Sequence, residues 1–404
     1  MAIGAQQPAP QAERGPALKP KLLLLSALYP SPENPVRGSF VQAQAEELAK
    51  DYDIRVIAWD YPGACSHRRW REGAREVDYL RFPQVPGFFP STLPVFVLYA
   101  LPRIRRICRR WRPDLIQVHD FAHLPALYAL KRWLDRDPTP KFLTLHNLKT
   151  LPGLMNKSAS NFIYQRSLAR ALGGWNRVFT VNQNLAEAVR PYDPTVACVG
   201  NGITEIRRED SPALQEIRNW LGSDCVKILA VGNLIASKGL DLLIQATQRL
   251  TEQGLAARTV IVGGGPMQNE LQRQIRSLGL SGQILLQPPL PPAVVRNLYF
   301  DFDIFALPSW SETFGIVYLE AMYAGLPVIG VRGQGIWGLF AEGEEALFAQ
   351  PGDLDSLVAH LLWLAKNPQE RRRLASNAAR RLRSEYMLEA VLAKFKAAYA
   401  EALK

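Results

Sequence analysis

Cysteine is scarce. The chain has four in 404 residues, Cys65, Cys108, Cys198 and Cys225, far apart and with no CxxC pair. That spacing excludes a disulfide framework and a thiolate zinc site, and it fits a reducing cytoplasm. The five histidines are scattered too, and no acidic DxD pair ends a strand of the second half. The sequence therefore names no metal ligand set. No apolar run reaches the ~18 residues that a membrane-spanning helix needs. Residues 1–20 are rich in Pro, Ala and Gln and lack an apolar core, so they read as a disordered tail. The run Leu22 to Leu25 is too short for a signal peptide. Acidic residues are in deficit, 37 against 48 basic, which leaves a net charge of +11. That excess favours an anionic partner such as a nucleotide or an acidic membrane surface. It does not favour nucleic acid, because the basic residues are not interleaved with aromatics in a recognition module.

What is present is an α/β pattern of a size that predicts two domains. "KLLLLS", a helix from Phe40 to Ala49, and "IRVIAW" form a strand–helix–strand unit. Short strands that are apolar throughout indicate a parallel sheet covered on both faces. "PDLIQVHDF", "KFLTLHNLK", "NRVFTVNQ" and "TVACVGNG" continue the series. A second series runs from "VKILAVGN" through "RTVIVGGGP", "QILLQPP" and "DIFALPS" to "PVIGV" and a helix over residues 354–365. The expected fold is two Rossmann-like doubly wound domains, residues 21–200 and 201–385, facing a cleft. The polar stretch 201–221 reads as the connection. Residues 386–404 belong to a final helix within "SEYMLEAVLAKFKAAYAEALK". In such sheets ligands gather at the carboxyl ends of the strands, so chemistry is sought there.

The densest stretch is "SETFGIVYLEAMYAGLPV", with Glu312 and Glu320 eight positions apart. Glu312 falls in a strand-to-helix loop and Glu320 inside the helix that follows. Eight helical residues would rise ~12 Å. That exceeds the ~5–9.5 Å between the carboxylates of a glycoside hydrolase pair. The span suits two ends of one extended ligand, with the helix N-terminus at Gly315 offering its amides to phosphate between them. The bland alternative is a solvated Glu312 and a surface-facing Glu320. Lys238 in "AVGNLIASKGLDLLI" would aim an ammonium at the same cleft, or else be a surface lysine at a helix start. Gly263 to Gly265, with Gly264 at the centre, permit close backbone approach but do not form GxGxxG. Gly38 and Ser39 precede the first helix and face the cleft from the other domain, or simply make a tight turn. His146 sits just past a strand and is a candidate for a substrate hydrogen bond, or a rim histidine.

Together these stretches resemble the retaining glycosyltransferases of the GT-B fold, glycosyltransferase family 4. The E-x7-E motif in "PSWSETFGIVYLEAMYAGLPVI" is the most specific piece, supported by "VGNLIASKGLDLLI", "VGGGP", "GNGIT" and "PGD". The resemblance implies transfer of a sugar from a nucleoside diphosphate sugar to an acceptor hydroxyl with retention and without metal or other cofactor. It also implies roles. Glu320 binds the ribose hydroxyls and Glu312 the sugar hydroxyls. The backbone of Phe314, Gly315 and Ile316 lines sugar and phosphate, and Lys238 binds the diphosphate. Gly38 lets the phosphate approach, His146 contacts the sugar, and the final helix crosses back onto the first domain. Three departures stand out: Asn233 where the family has Arg, Trp337 and Gly338 in place of Pro and Glu, and a glycine pair reduced to Gly38-Ser39. Asn233 keeps a hydrogen-bond donor for the donor site but removes a charge.

The expected acceptor is a polysaccharide, a lipid-linked sugar or a small glycoside. An apolar segment from Phe88 to Leu101 runs into Arg103, Arg105, Arg106, Arg109, Arg110 and Arg112. This is the composition of an interfacial contact with an anionic membrane, and equally of a core helix followed by a solvated basic one. The expected location is the cytoplasm, peripheral on the inner face of the membrane in the first case. Two rival functions remain on the same fold: a nucleotide-sugar epimerase that needs no acceptor, and a degenerate nucleotide-binding protein that turns nothing over.

Overall fold

The computed structural model describes residues 19–34, 37–60, 63–83, 92–119, 124–146 and 162–404. The tail reading for residues 1–18 and the apolar residues Phe88 to Ser91 lie outside them.

The first lobe is built on an eight-stranded sheet. Its strands are β1 (Lys21–Ser26), β2 (Asp53–Asp60), β3 (Ser66–Glu72), β4 (Arg75–Arg81), β5 (Leu115–His119), β6 (Lys141–Leu145), β7 (Arg177–Thr180) and β8 (Ala197–Cys198), in the order β3-β4-β2-β1-β5-β6-β7-β8. All neighbours are parallel except β3 and β4, a hairpin on the edge. The second lobe carries six parallel strands: β9 (Val226–Val231), β10 (Ala257–Val262), β11 (Ile284–Gln287), β12 (Ile304–Ala306), β13 (Val328–Val331) and β14 (Leu347–Ala349), ordered β11-β10-β9-β12-β13-β14. Leu22 to Leu25 are fully buried because each face of the first sheet has its own core. Both lobes are thus Rossmann-like, as the apolar strands predict, and place their strand ends at one cleft.

The connection is shorter than expected. Pro212–Leu221 is a helix, capped by the Ser211 hydroxyl on the Leu214 amide. Leu214, Ile217 and Leu221 repeat at helical spacing and enter the second lobe's core. The chain returns through a break at Met387, whose extended backbone ends one helical run before Leu388–Ala402 begins. The expected single helix from Ser384 is therefore split. The reason is a bridge between the two crossings: Ile203 N–H donates to Tyr386 O (3.1 Å) and Leu388 N–H to Ile203 O (2.8 Å). The final helix packs Leu388, Val391, Leu392, Phe395 and Tyr399 into the first lobe's core. Tyr399 also donates to Gln117 Oε1 there (2.8 Å).

The helix Pro368–Arg381 and the β3–β4 hairpin were not expected. The hairpin is charged, but it is anchored by Asp78, which is fully buried and accepts bonds from Arg55, Arg69 and His67. Those donors hold its carboxyl below the usual range despite burial.

Candidate functional site

Some helix starts carry a side-chain cap, as at Asn182, Ser211 and Asp353, and others, as at Gln268 and Pro368, do not. Three helices at the cleft are also without one. Ser39–Leu48, Leu240–Glu252 and Ile316–Tyr323 each begin after a glycine in the left-handed region, Gly38, Gly239 and Gly315. Among the described residues no side chain accepts from the first two amides of any of the three, which leaves those N–H groups open to a ligand, while Val41 and Tyr318 N–H donate to Gly38 O and Gly315 O. Gly38 cannot be replaced cheaply, because a Cβ there would lie 2.4 Å from the Leu28 carbonyl carbon. At Gly239 it would lie 2.3 Å from Pro308 O.

Lys238 lies in the short helical turn Ala236–Lys238 that leaves β9. Its Nζ forms an ion pair with Glu312, both side chains being mostly buried. Glu312 is fixed by its backbone. Its N–H donates to Gln334 Oε1 (3.1 Å), and its carbonyl accepts from Gly335 N–H (2.9 Å). Trp310 N–H and the Ser309 hydroxyl both donate to Ser237 O, tying the Glu312 loop to the Lys238 loop. Gly315 then turns the chain into the Ile316–Tyr323 helix, locked by Tyr318 Oη donating to Leu307 O (2.9 Å).

Glu320 is not the surface-facing residue of the bland alternative. Tyr299 Oη donates to its Oε2 (3.1 Å). The protein packed around the carboxyl pushes it up to about 7, against weaker opposing effects of the Tyr299 bond and the Arg296 charge. Part of Glu320 still lines a cavity of about 370 Å³ shared by both lobes. Ser39 and Phe40 enter it from the first lobe, Thr204 from the crossing, and Arg296, Ile316 and Glu320 from the second.

His146 is buried, 6% exposed, at the end of β6. Its Nε2 lies 3.1 Å from Nδ1 of His119, and Phe40 covers its ring at 4.7 Å. Burial pushes His119 down to about 3 and His146 well below its usual value, with His119 adding to the second shift. Both imidazoles are neutral at physiological pH. Asn233 is exposed on the Lys238 loop. Gly264 accepts the Leu234 N–H (2.9 Å), which folds the glycine loop against that same segment. Phe314 is buried against the crossing near Gly200.

The structure therefore gathers Lys238, Glu312, Gly315, Ile316, Glu320, Gly38 and Ser39 around one cleft, with His146 one ring behind it. Sequence reasoning missed Tyr299, His119, Gln334 and Arg296. Only His119 left a signal, as a second histidine at a strand's carboxyl end. Among the described residues no group of three His, Cys, Asp or Glu could hold a metal ion, and no helix is long and apolar enough to cross a membrane.

A family model described as Glycosyltransferase Family 4 matches residues 38–205, and one described as Glycosyl transferases group 1 matches residues 218–381. TuaC of Bacillus subtilis, named as a teichuronic acid biosynthesis glycosyltransferase, is 28% identical over 350 residues, 81% of this chain and 85% of its own. A D-inositol 3-phosphate glycosyltransferase of Rhodococcus erythropolis is 30% identical over 61% of this chain and 60% of its own. In fold, the chain is similar to a sucrose-phosphate synthase from Thermosynechococcus elongatus (TM-score 0.73, 17% identity, 95% of this chain and 99% of the other). It is also similar to Anabaena HepE in complex with UDP (TM-score 0.69, 19% identity, 94% and 100%).

Proposed function

The chain belongs to the GT-B glycosyltransferases of family 4, and we propose that it moves a sugar from a nucleoside diphosphate sugar to an acceptor hydroxyl with retained configuration. The observation that carries this reading is the sequence of groups along one cleft: the Lys238–Glu312 ion pair, the uncapped helix start at Gly315, and Glu320 at the far end. A nucleotide sugar has the matching order of hydroxyls, diphosphate and ribose hydroxyls.

In this reading Glu320 accepts from the ribose, and Lys238 exchanges Glu312 for the diphosphate. The freed Glu312 then accepts from the sugar hydroxyls. The bond from the anomeric carbon to the diphosphate oxygen breaks, and its electron pair goes to the leaving group. Lys238 and the Ile316–Tyr323 amides stabilise that charge without a metal. The acceptor oxygen forms the new bond on the same face, and its proton passes to the leaving phosphate. The acceptor is a saccharide, free or lipid-linked. Exposed Val97 and Leu98 beside the arginines of Leu101–Trp111 favour a lipid-linked acceptor reached from an anionic membrane surface.

A thermal-shift panel of UDP, GDP and ADP tests the donor site. One diphosphate stabilises the wild type and fails to stabilise Glu320→Ala. A shift that survives that substitution refutes the ribose assignment.

A further inference from the structure

The loop after β7 reaches across the cleft. Asn182 is 5% exposed and caps the Gln183–Val189 helix: its Oδ1 accepts the Leu185 N–H (2.7 Å). Using Oδ1 as the cap turns Nδ2 outward, and Nδ2 donates to Thr313 O in the second lobe. Two residues on, Asn184 Nδ2 donates to Gly333 O (2.8 Å). Thr313 follows Glu312. Gly333 precedes Gln334, which accepts the Glu312 N–H, and Gly335, whose own N–H binds the Glu312 carbonyl. Both asparagines thus grip, from the opposite lobe, the two loops that fix the backbone of Glu312.

We propose that Asn182 and Asn184 are positioning residues that make the placement of Glu312 depend on closure of the lobes. The sugar role of Glu312 comes from the reading above. With the lobes apart, both bonds are lost and the Glu312 loop is held by the second lobe alone. With the lobes together, the carboxylate is braced at the moment water is excluded. A donor bound while the lobes are apart would then meet a carboxylate out of register and stay open to water, so transfer loses ground to hydrolysis.

The substitutions separate this from a purely structural role. Asn182→Asp keeps the acceptor that caps the helix and removes the donor to Thr313. Asn184→Ala removes the second donor and touches no cap. With UDP-, GDP- and ADP-glucose as probes, each variant is expected to lower kcat for transfer about fivefold to tenfold, the worth of one hydrogen bond. Donor KM stays within about twofold, and the share of donor hydrolysed rises. Hydrogen exchange on the protein alone is the substrate-independent arm: peptides covering 309–316 and 331–338 exchange faster in the double variant, while those of β9 and β10 do not change. Unchanged exchange in those peptides overturns the proposal. So does a transfer-to-hydrolysis ratio in the variants equal to that of a wild type that turns a probe over. If the wild type turns over none of the three, the transferase reading is what suffers, and the exchange arm still decides this one.

Discussion

Donor affinity should fall on acidification, and Glu320 sets the midpoint. Burial raises its carboxyl from 4.5 to about 7. Ribose hydroxyls bind the ionised form better, because a carboxylate accepts with all its lone pairs and a protonated carboxyl spends one oxygen as a donor. With a midpoint near 7, the ionised fraction falls from about nine tenths at pH 8 to about one tenth at pH 6, so the dissociation constant rises about tenfold, or about 1.4 kcal/mol. The ligand should be a nucleoside diphosphate sugar, since a free diphosphate ends in a singly substituted phosphate that itself titrates near 6. Calorimetry at pH 6 in buffers of different ionisation enthalpy should show close to one proton released on binding. The same shift acts on folding, with the opposite preference. A carboxyl raised in the folded state gives stability that is complete below 4.5 and is lost as pH rises through about 7. That loss is at most about 3 kcal/mol. Glu320→Gln should remove it, leaving a variant that is more stable than wild type at pH 8, equal to it at pH 4, and weak in nucleotide binding at neutral pH. An affinity that stays flat from pH 8 to pH 6 refutes the midpoint, and one that strengthens on acidification refutes the ribose assignment as well.

Lys238→Ala should lower kcat about a hundredfold, the usual cost of removing one group that stabilises developing charge, while Lys238→Arg restores part of it in steady-state assays. Gly38→Ala should lower the melting temperature and donor affinity together, since its φ of 69° and the 2.4 Å approach to Leu28 allow no side chain. Replacing Arg105, Arg106, Arg109 and Arg110 with Gln should reduce sedimentation with anionic vesicles at low salt; unchanged sedimentation removes the membrane-surface reading. Dialysis against EDTA should leave transfer intact, and loss that returns with a divalent ion would show that Lys238 and the helix start do not suffice.

The parallel strands were legible because burial on both faces leaves no polar alternation to confuse: Leu22 to Leu25 and Ile228 to Ala230 are apolar in every position. The hairpin Ser66–Arg81 was not legible for the converse reason. Its outer face is exposed and arginine-rich, and the polarity that reads as loop is an edge strand protected by charge. The helix Pro368–Arg381 hid behind a buried stripe made largely of alanines, Ala375, Ala378 and Ala379 beside Leu374, too small to register against the five arginines and four other polar residues around them.

At the site, residues whose chemistry is set by their own segment could be found, and those set by another segment could not. A glycine at a helix start, a lysine in the turn before one and two carboxylates at fixed spacing are local statements, and the cleft contains them. Tyr299, 21 residues from Glu320, lends that carboxylate a hydrogen bond only because an intervening strand folds the chain back. Asn182 is more instructive. As a sequence feature it is an ordinary helix cap, and its Oδ1 does that work. Its other amide atom meets Thr313, 131 residues away and in the other lobe. A cap uses only half of an asparagine. Serine or aspartate would cap as well but could not also donate an amide N–H to Thr313 O, and Asp at that position is the substitution that should separate the two roles.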